Sequence, residues 1–342
     1  MVSISLKAAS SRPLAVAKNL PSTLDFPGRT FEAVTIRDVK QAIAKQCPKF
    51  DPSRQRLTTT PPVKPVDKSA KPIKSKALTD GMTLQDAGLD APGGTLYVKD
   101  LGLQVSYRTV FIVEYIGPLL IHPVAYHLPR LIYGKNVQHS QLQTVAYALV
   151  MLHFLKREFE TIFVHRFSHA TMPVGNLFRN SAHYHLLSGL LLALALYGPW
   201  YSAPSLAAKQ VQSAAPNWLL GWGWPSGDTS SLLKYIAVWA FAELSNFHTH
   251  LTLRNLRPAS NPTARGIPRG YLFEYVSCPN YTFEIIAWVA FTLMTKSWAS
   301  LIFIIAGTTP MIIWAIKKHK AYRREFGASY PRNRKILVPF LF

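Results

Sequence analysis

The stretch Ser277-Cys278-Pro279-Asn280-Tyr281-Thr282-Phe283-Glu284 opens a strongly apolar segment with a phenol, an amide and a carboxylate. A phenol can donate a proton, and the side chains of Asn280 and Glu284 can hold a ligand. In lipid, each of these groups is costly unless it has a polar partner. The alternative interpretation is an ordinary helix start with a tyrosine at the membrane interface. Polar clusters elsewhere in the chain favour a catalytic site.

The apolar segments define the fold class. Six of them follow the first hundred residues, at about 109–128, 141–164, 184–200, 232–252, 282–296 and 298–316. Several approach the roughly 20 residues that a helix needs to span a bilayer. We therefore predict a multi-span α-helical membrane protein with about six or seven transmembrane helices. Only Lys296-Ser297 separates the last two segments, which predicts a tight hairpin.

Composition agrees with a membrane protein. Of the 342 residues 49% are apolar, yet the formal net charge is +21. Soluble nucleic-acid binders are basic but rarely carry several long apolar runs, so we predict no nucleic-acid partner and expect membrane lipids or an anionic substrate instead. Basic residues crowd the 253–276 loop and the C-terminal region, whereas the 201–231 stretch has only Lys209. The positive-inside rule then predicts a multi-pass protein with cytosolic N- and C-termini.

Residues 1–98 predict a small α+β domain ahead of the membrane domain, residues 99–342. Ser3 to Lys7 alternates like a strand, and residues 14–17 could pair with it. A helix is predicted over 35–44, with Thr35 as its N-cap and Asp38 three residues on. Strands at 55–58 and 95–98 follow. This order resembles the ubiquitin-like fold, and the Pro- and Lys-rich stretch 61–76 predicts a disordered insertion.

Two clusters of polar residues lie near the predicted membrane boundary. Asn246, His250 and Arg254 are spaced by four, so on a helix they share one face, and Arg257 follows three residues later. Arginine binds phosphate with a planar fork, which suits a nucleotide, although an ordinary basic flank has the same composition. The second cluster contains Lys156, Arg157 and Glu160, where Lys156 and Glu160 can pair at i,i+4.

Further candidates lie at both ends of the membrane domain. The basic tail carries His319 and Tyr322 and ends in the apolar Val338 to Phe342, which predicts that it folds back against the helical bundle; an interfacial anchor is the alternative. Gln104 and Glu114 lie around the first span, and Glu114 in an apolar run needs a partner. Two cysteines in regions of different character provide neither a disulfide framework nor a metal site, and no metal is predicted. The chain has no G-x-G-x-x-G after a strand and no P-loop, so a nucleotide site would be built from helix ends and loops.

Several of these motifs together resemble the steroid 5α-reductase superfamily: Ser277 to Glu284, Asn246-Phe247-His248, Leu253 to Arg257, and the tail from His319 to Phe340. Others resemble very-long-chain trans-2-enoyl-CoA reductases: Lys99-Asp100-Leu101-Gly102-x-Gln104, Glu114-Tyr115-x-Gly117-Pro118, and Phe163 to Pro173. The resemblance covers nearly the whole chain.

The resemblance implies an endoplasmic-reticulum membrane enzyme that reduces trans-2,3-enoyl-CoA to saturated acyl-CoA with NADPH. Hydride would go to the β-carbon and a proton to the α-carbon, completing a cycle of fatty-acid elongation beside other elongation enzymes and serving sphingolipid metabolism. Tyr281 matches the proton donor. The positions implied at the cofactor site are Asn246, His250, Arg254, Arg257, Asn280, Glu284, His319 and Tyr322. Those implied in the enoyl-CoA branch are Gln104, Lys156, Arg157 and Glu160, and Gln104 or Lys156 could polarise the thioester oxygen. His250 departs from the steroid branch, which has an acidic residue there.

Three other functions remain open on the sequence alone. A steroid or polyprenol reductase of the same superfamily would share the chemistry without CoA. A membrane methyltransferase would need S-adenosylmethionine. A scaffold that recruits partners through its N-terminal domain would not need Tyr281.

Overall fold

The computed structural model describes residues 1–10, 19–61, 77–167, 170–211, 219–225, 227–258 and 265–342. The chain divides into two compact units. The first contains Met1–Val105 and Thr171–Val174, and the second contains Ser106–Ala170 and Gly175–Phe342. Both cysteines, Cys47 and Cys278, are free.

The first unit is built on a four-stranded sheet with the order β2-β1-β4-β3. Its strands are β1 (Val2–Ala8), β2 (Thr23–Phe26), β3 (Gln55–Thr58) and β4 (Thr95–Asp100). The two central strands, β1 and β4, are parallel, and each outer strand is antiparallel to its neighbour. Strands β5 (Gln104–Ser106) and β6 (Thr171–Pro173) form a separate pair. Alternation along β1 buries Val2, Ile4 and Leu6 on one face, as a half-buried strand requires.

Helix α1 (Ile36–Gln46) packs its apolar face, Ile36, Val39 and Ile43, into the core of the first unit. The predicted N-cap is confirmed. The hydroxyl of Thr35 accepts the backbone N–H of Asp38 at 3.2 Å, and the carboxylate of Asp38 accepts the backbone N–H of Thr35 at 2.9 Å. This reciprocal capping box satisfies two of the N–H groups that a helix start leaves unpaired.

The predicted strands at 3–7, 55–58 and 95–98 are confirmed, within slightly longer bounds for the first and last. Sequence reasoning missed β2, which pairs with β1. The strand predicted at 14–17 and nearly all of the predicted insertion at 61–76 lie outside the described residues. The ubiquitin-like assignment stays a prediction, with the mixed sheet and the packed helix in its favour.

The second unit is helical. Its helices are α2 (Tyr107–His127), α3 (Pro129–Tyr133), α4 (Gln141–Phe159), α5 (Gly175–Ala182), α6 (Leu192–Tyr197), α7 (Ala203–Val211), α8 (Thr229–Asn255), α9 (Pro279–Thr295) and α10 (Trp298–Phe326). Two π-helical stretches, Glu160–Val164 and His183–Leu191, extend α4 and join α5 to α6. The 184–200 segment, which we predicted as a single span, is therefore divided. Within the described residues, two helical runs are long and apolar enough to cross a bilayer, Tyr107–His127 and Trp298–Ser329. The number of spans stays a prediction.

Aromatic and aliphatic side chains from α2, α4, α6, α8, α9 and α10 fill the core of this unit. Trp288 of α9 lies with its ring centroid 4.6 Å from that of Phe303 on α10 and 4.9 Å from that of His153 on α4. Gly117 of α2 has a specific steric role. A Cβ atom at this position would lie 2.0 Å from the ring of His185, whose Nε2 bonds the carbonyl of Val113 at 2.8 Å.

The C-terminal tail folds back on the start of α9, as the sequence predicted. The backbone N–H groups of Ser277 and Cys278 donate to the carbonyls of Lys335 and Ile336, at 2.9 and 3.2 Å. The hydroxyl of Thr282 donates to the carbonyl of Leu337 at 2.7 Å, and the side chain of Leu337 is buried. These hydrogen bonds join the tail to the start of α9 on both sides of Tyr281.

Candidate active site

Helix α4 carries a polar stripe into the second unit. His153, Lys156, Arg157 and Glu160 occupy positions i, i+3, i+4 and i+7, so they lie on one face of the helix. Glu160 stands where the helix widens into its π-helical turn, a distortion that often marks functional positions. His153 and Glu160 are buried, whereas Lys156 and Arg157 keep part of their surface accessible.

A closed ring of hydrogen bonds and ion-pair contacts joins this stripe to α8 and α9. The ammonium of Lys156 donates to Glu243 at 2.7 Å and to the side-chain oxygen of Asn246 at 2.6 Å. The amide nitrogen of Asn246 donates to Glu284 at 3.3 Å. His153 bridges the two carboxylates, with Nδ1 2.6 Å from Glu243 and Nε2 3.4 Å from Glu284. Buried charges are tolerated when they are paired in this way.

A second group of contacts extends from the same stripe. Arg157 pairs with Glu160 at 2.5 Å and donates from Nη2 to the hydroxyl of Tyr115 at 2.9 Å. Glu160 also lies 3.0 Å from Nδ1 of His250 and 3.5 Å from the ammonium of Lys156. The predicted i,i+4 pair of Lys156 and Glu160 is therefore confirmed, within a larger network.

One part of this group has the donor set of a metal site. Ligand atoms of Glu160, His165 and His250 all lie within 4.8 Å of one another. However, the carboxylate of Glu160 already pairs with the guanidinium of Arg157, and the Lys156 ammonium is also close. Two permanent cations beside the carboxylate oppose the entry of a third, so the donor set fits a metal ion poorly.

Tyr281 lies in the first turn of α9, half-buried beside Cys278, Ala315 and Leu337. The ammonium of Lys318 on α10 lies 5.4 Å from the centre of its ring, a cation–π contact. Within the described part of the chain, the Tyr281 hydroxyl has no hydrogen-bond partner and the Lys318 ammonium forms no ion pair. A proton donor and an uncommitted cation therefore stand together.

Four polar side chains of the second unit are largely but not completely buried. Arg157, Tyr184, Tyr281 and Lys318 are deep among protein atoms, yet each keeps accessible surface. Arg157 lies close enough to Tyr281 for their charges to interact, so the α4 stripe lies near the start of α9.

The start of α9 offers further polar groups. The backbone carbonyl of Asn280 accepts a bond from Asn246 at 2.8 Å, but its side-chain oxygen is buried without a partner among the described residues. Ser277 holds two other groups of the tail. Its hydroxyl lies 2.6 Å from Nδ1 of His319 and 2.7 Å from the hydroxyl of Tyr330, and the Tyr330 ring stacks on that of Tyr322.

The two arginines that end α8 differ in their surroundings. Arg257 donates to the carbonyl of Arg166 at 2.6 Å, and Arg166 donates back to the carbonyl of Arg257. Arg254 is half-buried, and its carbonyl accepts a bond from Arg166 at 3.4 Å. Arg166 thus contacts the backbone at and just after the C-terminal end of α8.

The structure brings most of the predicted site residues into one network or its margins, all in the second unit. Gln104 belongs to the first unit. Its amide nitrogen donates to the carbonyl of Leu101 at 3.1 Å, and its amide oxygen accepts from the hydroxyl of Thr171 at 3.4 Å. Its catalytic role stays a prediction. His250, predicted at the cofactor site, is buried and bonded to Glu160, so the structure favours a positioning role for it.

Sequence reasoning missed His153, Glu243, Lys318 and Tyr184. Two of them carried a usable signal, because His153 and Glu243 precede recognised residues at helical spacing: His153 stands three before Lys156, and Glu243 three before Asn246. Lys318 was counted only as part of the basic flank of the last span. Its position beside Tyr281 depends on the packing of α10 against the start of α9.

Comparison with known proteins defines the class. The family described as 3-oxo-5-alpha-steroid 4-dehydrogenase matches residues 170–342, about half of the chain, including α8, α9, α10 and the tail. A putative enoyl reductase of Schizosaccharomyces pombe is 50% identical over 263 residues, covering 77% of this chain and 81% of that protein. The very-long-chain enoyl-CoA reductase of Dictyostelium discoideum is 40% identical over 312 residues, covering 91% and 93%.

A human trans-2,3-enoyl-CoA reductase-like protein is 32% identical over 318 residues, covering 91% of this chain and 78% of its own length. Unlike the half-chain match to the steroid dehydrogenase family, the similarities to the Dictyostelium and human proteins extend through the first unit as well. The chain therefore belongs to the very-long-chain trans-2-enoyl-CoA reductase family, within the steroid 5α-reductase superfamily.

Proposed function

We propose that this protein reduces very-long-chain trans-2,3-enoyl-CoA to saturated acyl-CoA, using NADPH, as the last step of the fatty-acid elongation cycle. The observation that carries the proposal is the position of Tyr281. Its hydroxyl has no hydrogen-bond partner among the residues that the structure describes. Its ring lies beside the Lys318 ammonium, and Arg157 is close enough to interact with it electrostatically. The names of the relatives supply the substrate class.

Tyr281 is the proton donor in this proposal. A tyrosine is protonated at neutral pH and can give its proton to the α-carbon of the substrate. Proton loss leaves a phenolate, which the nearby cations Lys318 and Arg157 stabilise electrostatically. Because these side chains are partly buried, the interactions are stronger than they would be in water.

The thioester oxygen needs a donor as negative charge develops on it. Lys156 was one candidate, but its ammonium is bonded to Glu243 and Asn246. Lys156 therefore acts as a positioning residue that fixes α4 against α8. Lys318, which forms no ion pair within the described residues, has donors available for the oxygen, and Gln104 stays a second candidate.

The residues present fit a nicotinamide cofactor. The buried, unpartnered side-chain oxygen of Asn280 can accept from the amide nitrogen of a carboxamide. Beside it, Asn246 and Glu284 complete a polar wall. Arg254, Arg257 and Tyr322, with His319 near them, would hold the phosphates and ribose, because arginine forks match phosphate oxygens. When bound, the cofactor supplies the hydride that the β-carbon accepts.

The proposed setting is the endoplasmic-reticulum membrane, with both termini cytosolic and other elongation enzymes nearby. Two helical runs that could cross a bilayer and a net charge of +21 support it. The acyl chain is apolar and suits the helices, whereas CoA and NADPH are polyanionic and suit the basic loops.

The test uses the full-length protein in detergent. Oxidation of NADPH, and of NADH in parallel, is followed by the absorbance of the reduced nicotinamide with a long-chain trans-2-enoyl-CoA or a steroid enone. The steroid is included because the matching family is described by that substrate. We expect oxidation of NADPH with the enoyl-CoA alone.

Tyr281→Phe should lower the turnover number at least about a hundredfold, the usual contribution of a positioned acid, while folding is retained. The matched control is Tyr275→Phe, at a tyrosine that is 50% exposed, and it should be neutral. Turnover of the steroid only would overturn the substrate, and full activity in Tyr281→Phe would remove this residue as donor.

A further inference from the structure

An apolar cavity of about 430 Å³ lies at the end of α9 that is remote from Tyr281. This volume is within the usual range for ligand pockets. Val289 and Leu293 of α9 are 41% and 47% exposed, so the cavity opens towards the lipid side of the helix. Its lining is apolar apart from one threonine and consists of Trp222, Val289, Thr292, Leu293, Trp298, Leu301 and Ile304.

Thr292, one of the residues that line the cavity, lies on the same side of α9 as Tyr281. Thr292 is eleven residues after Tyr281, and at 3.6 residues per turn this spacing returns to within about 20° of the same direction. Half-buried Ile285 lies on the same side between them. Helix α10 contacts both places: its Lys318 lies beside Tyr281, and its Ile304 lines the cavity. Both sites thus lie along the α9–α10 helix pair.

The distance matches the length of a long acyl chain. Eleven residues of α-helix rise about 16 Å. An extended alkyl chain advances about 1.25 Å per carbon, from a C–C bond of about 1.5 Å at tetrahedral angles. A chain with its α-carbon at Tyr281 reaches Thr292 after about 13 further carbons, and it reaches Val289 after about 10.

The far end of the cavity is closed by a fixed pair of tryptophans. The indole rings of Trp222 and Trp298 lie 5.3 Å apart. Trp222 donates its backbone N–H to the carbonyl of Lys296 at 3.3 Å, and Trp298 donates to that of Leu220 at 3.0 Å. Gly221 permits this contact, because a Cβ there would lie 1.9 Å from the Lys296 carbonyl oxygen. The 219–222 loop is thereby held against the α9–α10 turn.

We propose that this cavity binds the methyl end of the acyl chain and makes the enzyme selective for chains longer than about 12 carbons. The inference rests on the proposed function, since it needs an enoyl-CoA with its α-carbon at Tyr281. Shorter chains would end before Val289. Longer chains would fill the cavity and stop against Trp222 and Trp298.

The experiment compares kcat/KM of the full-length enzyme for trans-2-enoyl-CoA substrates of about 8, 12, 16 and 20 carbons, spanning the length set by the α9 rise. Val289→Trp fills the cavity and should lower kcat/KM for the two longest substrates at least about tenfold, since each lost methylene contact matters in an apolar pocket. The shortest substrate should be unaffected. Trp222→Ala should shift the preference towards longer chains.

Two controls separate the causes. Leu233→Trp introduces the same side chain at an exposed position of α8 outside the cavity and should leave the profile unchanged. Thr292→Val keeps the shape of the lining and should also preserve the profile. If Val289→Trp lowers all chain lengths equally or leaves long chains unaffected, a membrane lipid or nothing occupies the cavity and the inference fails. A wild type inactive with every enoyl-CoA would instead refute the proposed function, and the inference with it.

Discussion

Lys156→Met tests whether the ring of hydrogen bonds and ion-pair contacts between α4, α8 and α9 holds the second unit together. The substitution keeps an unbranched side chain of similar length and removes the charge. Glu243 now pairs with both His153 and Lys156, and it would keep only His153. The side-chain oxygen of Asn246 would lose the hydrogen bond that it accepts from Lys156. Both partners are on α8, so the substitution weakens the contact between α4 and α8.

The magnitude follows from the burial of the partners. Removing one member of a buried ion pair costs about 3–5 kcal/mol, since the other charge stays desolvated. The side chain of Lys156 is 17% exposed and that of Glu243 only 6%, so a modest discount gives about 2–4 kcal/mol. For a domain of this size, that corresponds to a fall in midpoint temperature of about 5–15 °C.

The assay is thermal unfolding of the full-length protein in detergent, read by tryptophan fluorescence at a fixed scan rate because membrane proteins often unfold irreversibly. A double-mutant cycle with Glu243→Gln isolates the pair. We expect Lys156→Met combined with Glu243→Gln to be more stable than the sum of the single losses predicts, with a coupling energy of about 2 kcal/mol. Lys317→Met, at an exposed lysine of α10, is the matched control and should stay within about 0.5 kcal/mol of wild type.

Two outcomes would refute the reasoning. Lys156→Met could unfold at the wild-type temperature, which would mean that the buried carboxylates do not need the ammonium. Alternatively, the two single losses could simply add, in which case Lys156 and Glu243 are not energetically coupled despite the 2.7 Å contact.

Two further predictions concern a helix cap in the first unit and a partly exposed carboxylate in the second. Thr35→Ala removes the hydroxyl that caps α1 and should destabilise the first unit by about 1 kcal/mol. The measurement is amide hydrogen exchange across α1 in the full-length protein, which should become faster in Thr35→Ala but not in the control Thr35→Ser. Unchanged exchange in Thr35→Ala would contradict the capping role. The pKa of Glu274 is held below its usual range, first by a hydrogen bond from the backbone N–H of Gly270 and then by Arg269 and Arg334. The ionised Glu274 carboxylate therefore stabilises the fold fully above the unfolded pKa of about 4.3, and this stabilisation is lost as the pH falls through the lower folded pKa. Wild type should therefore exceed Glu274→Gln in thermal stability at pH 7 by more than at about pH 3, and a gap that does not narrow on acidification would exclude this titration.

Local features of the sequence were sufficient for much of the fold. The cap of α1 depends on residues three apart, and the apolar runs of α8, α9 and α10 need no knowledge of their neighbours. The stripe Lys156, Arg157 and Glu160 and the face shared by Asn246 and His250 also follow from helical periodicity alone. The segment at 184–200 was misjudged because hydropathy does not distinguish a continuous helix from π-helical and α-helical pieces of the same composition.

Other features depend on which helices pack together. Lys156 and Asn246 are 90 positions apart in the chain, and Lys156 and Glu243 are 87 apart. Several acidic and basic residues could have paired equally well, because a hydropathy pattern shows that a charged residue lies in or near a helix but does not identify its partner. The same holds for Lys318, which the sequence shows as one of several basic residues after the last span.

The sequence by itself determined the apolar helices, the capped helix of the first unit and the family motifs around Tyr281, since these depend on residue type and short-range spacing. Only the tertiary structure decided that Lys318 stands beside Tyr281, that Lys156 is committed to Glu243 and Asn246, and that a cavity ends in the Trp222–Trp298 pair. The physical reason is that pairing of buried charges and the space between helices arise from long-range packing, which a linear pattern of hydropathy and charge does not specify.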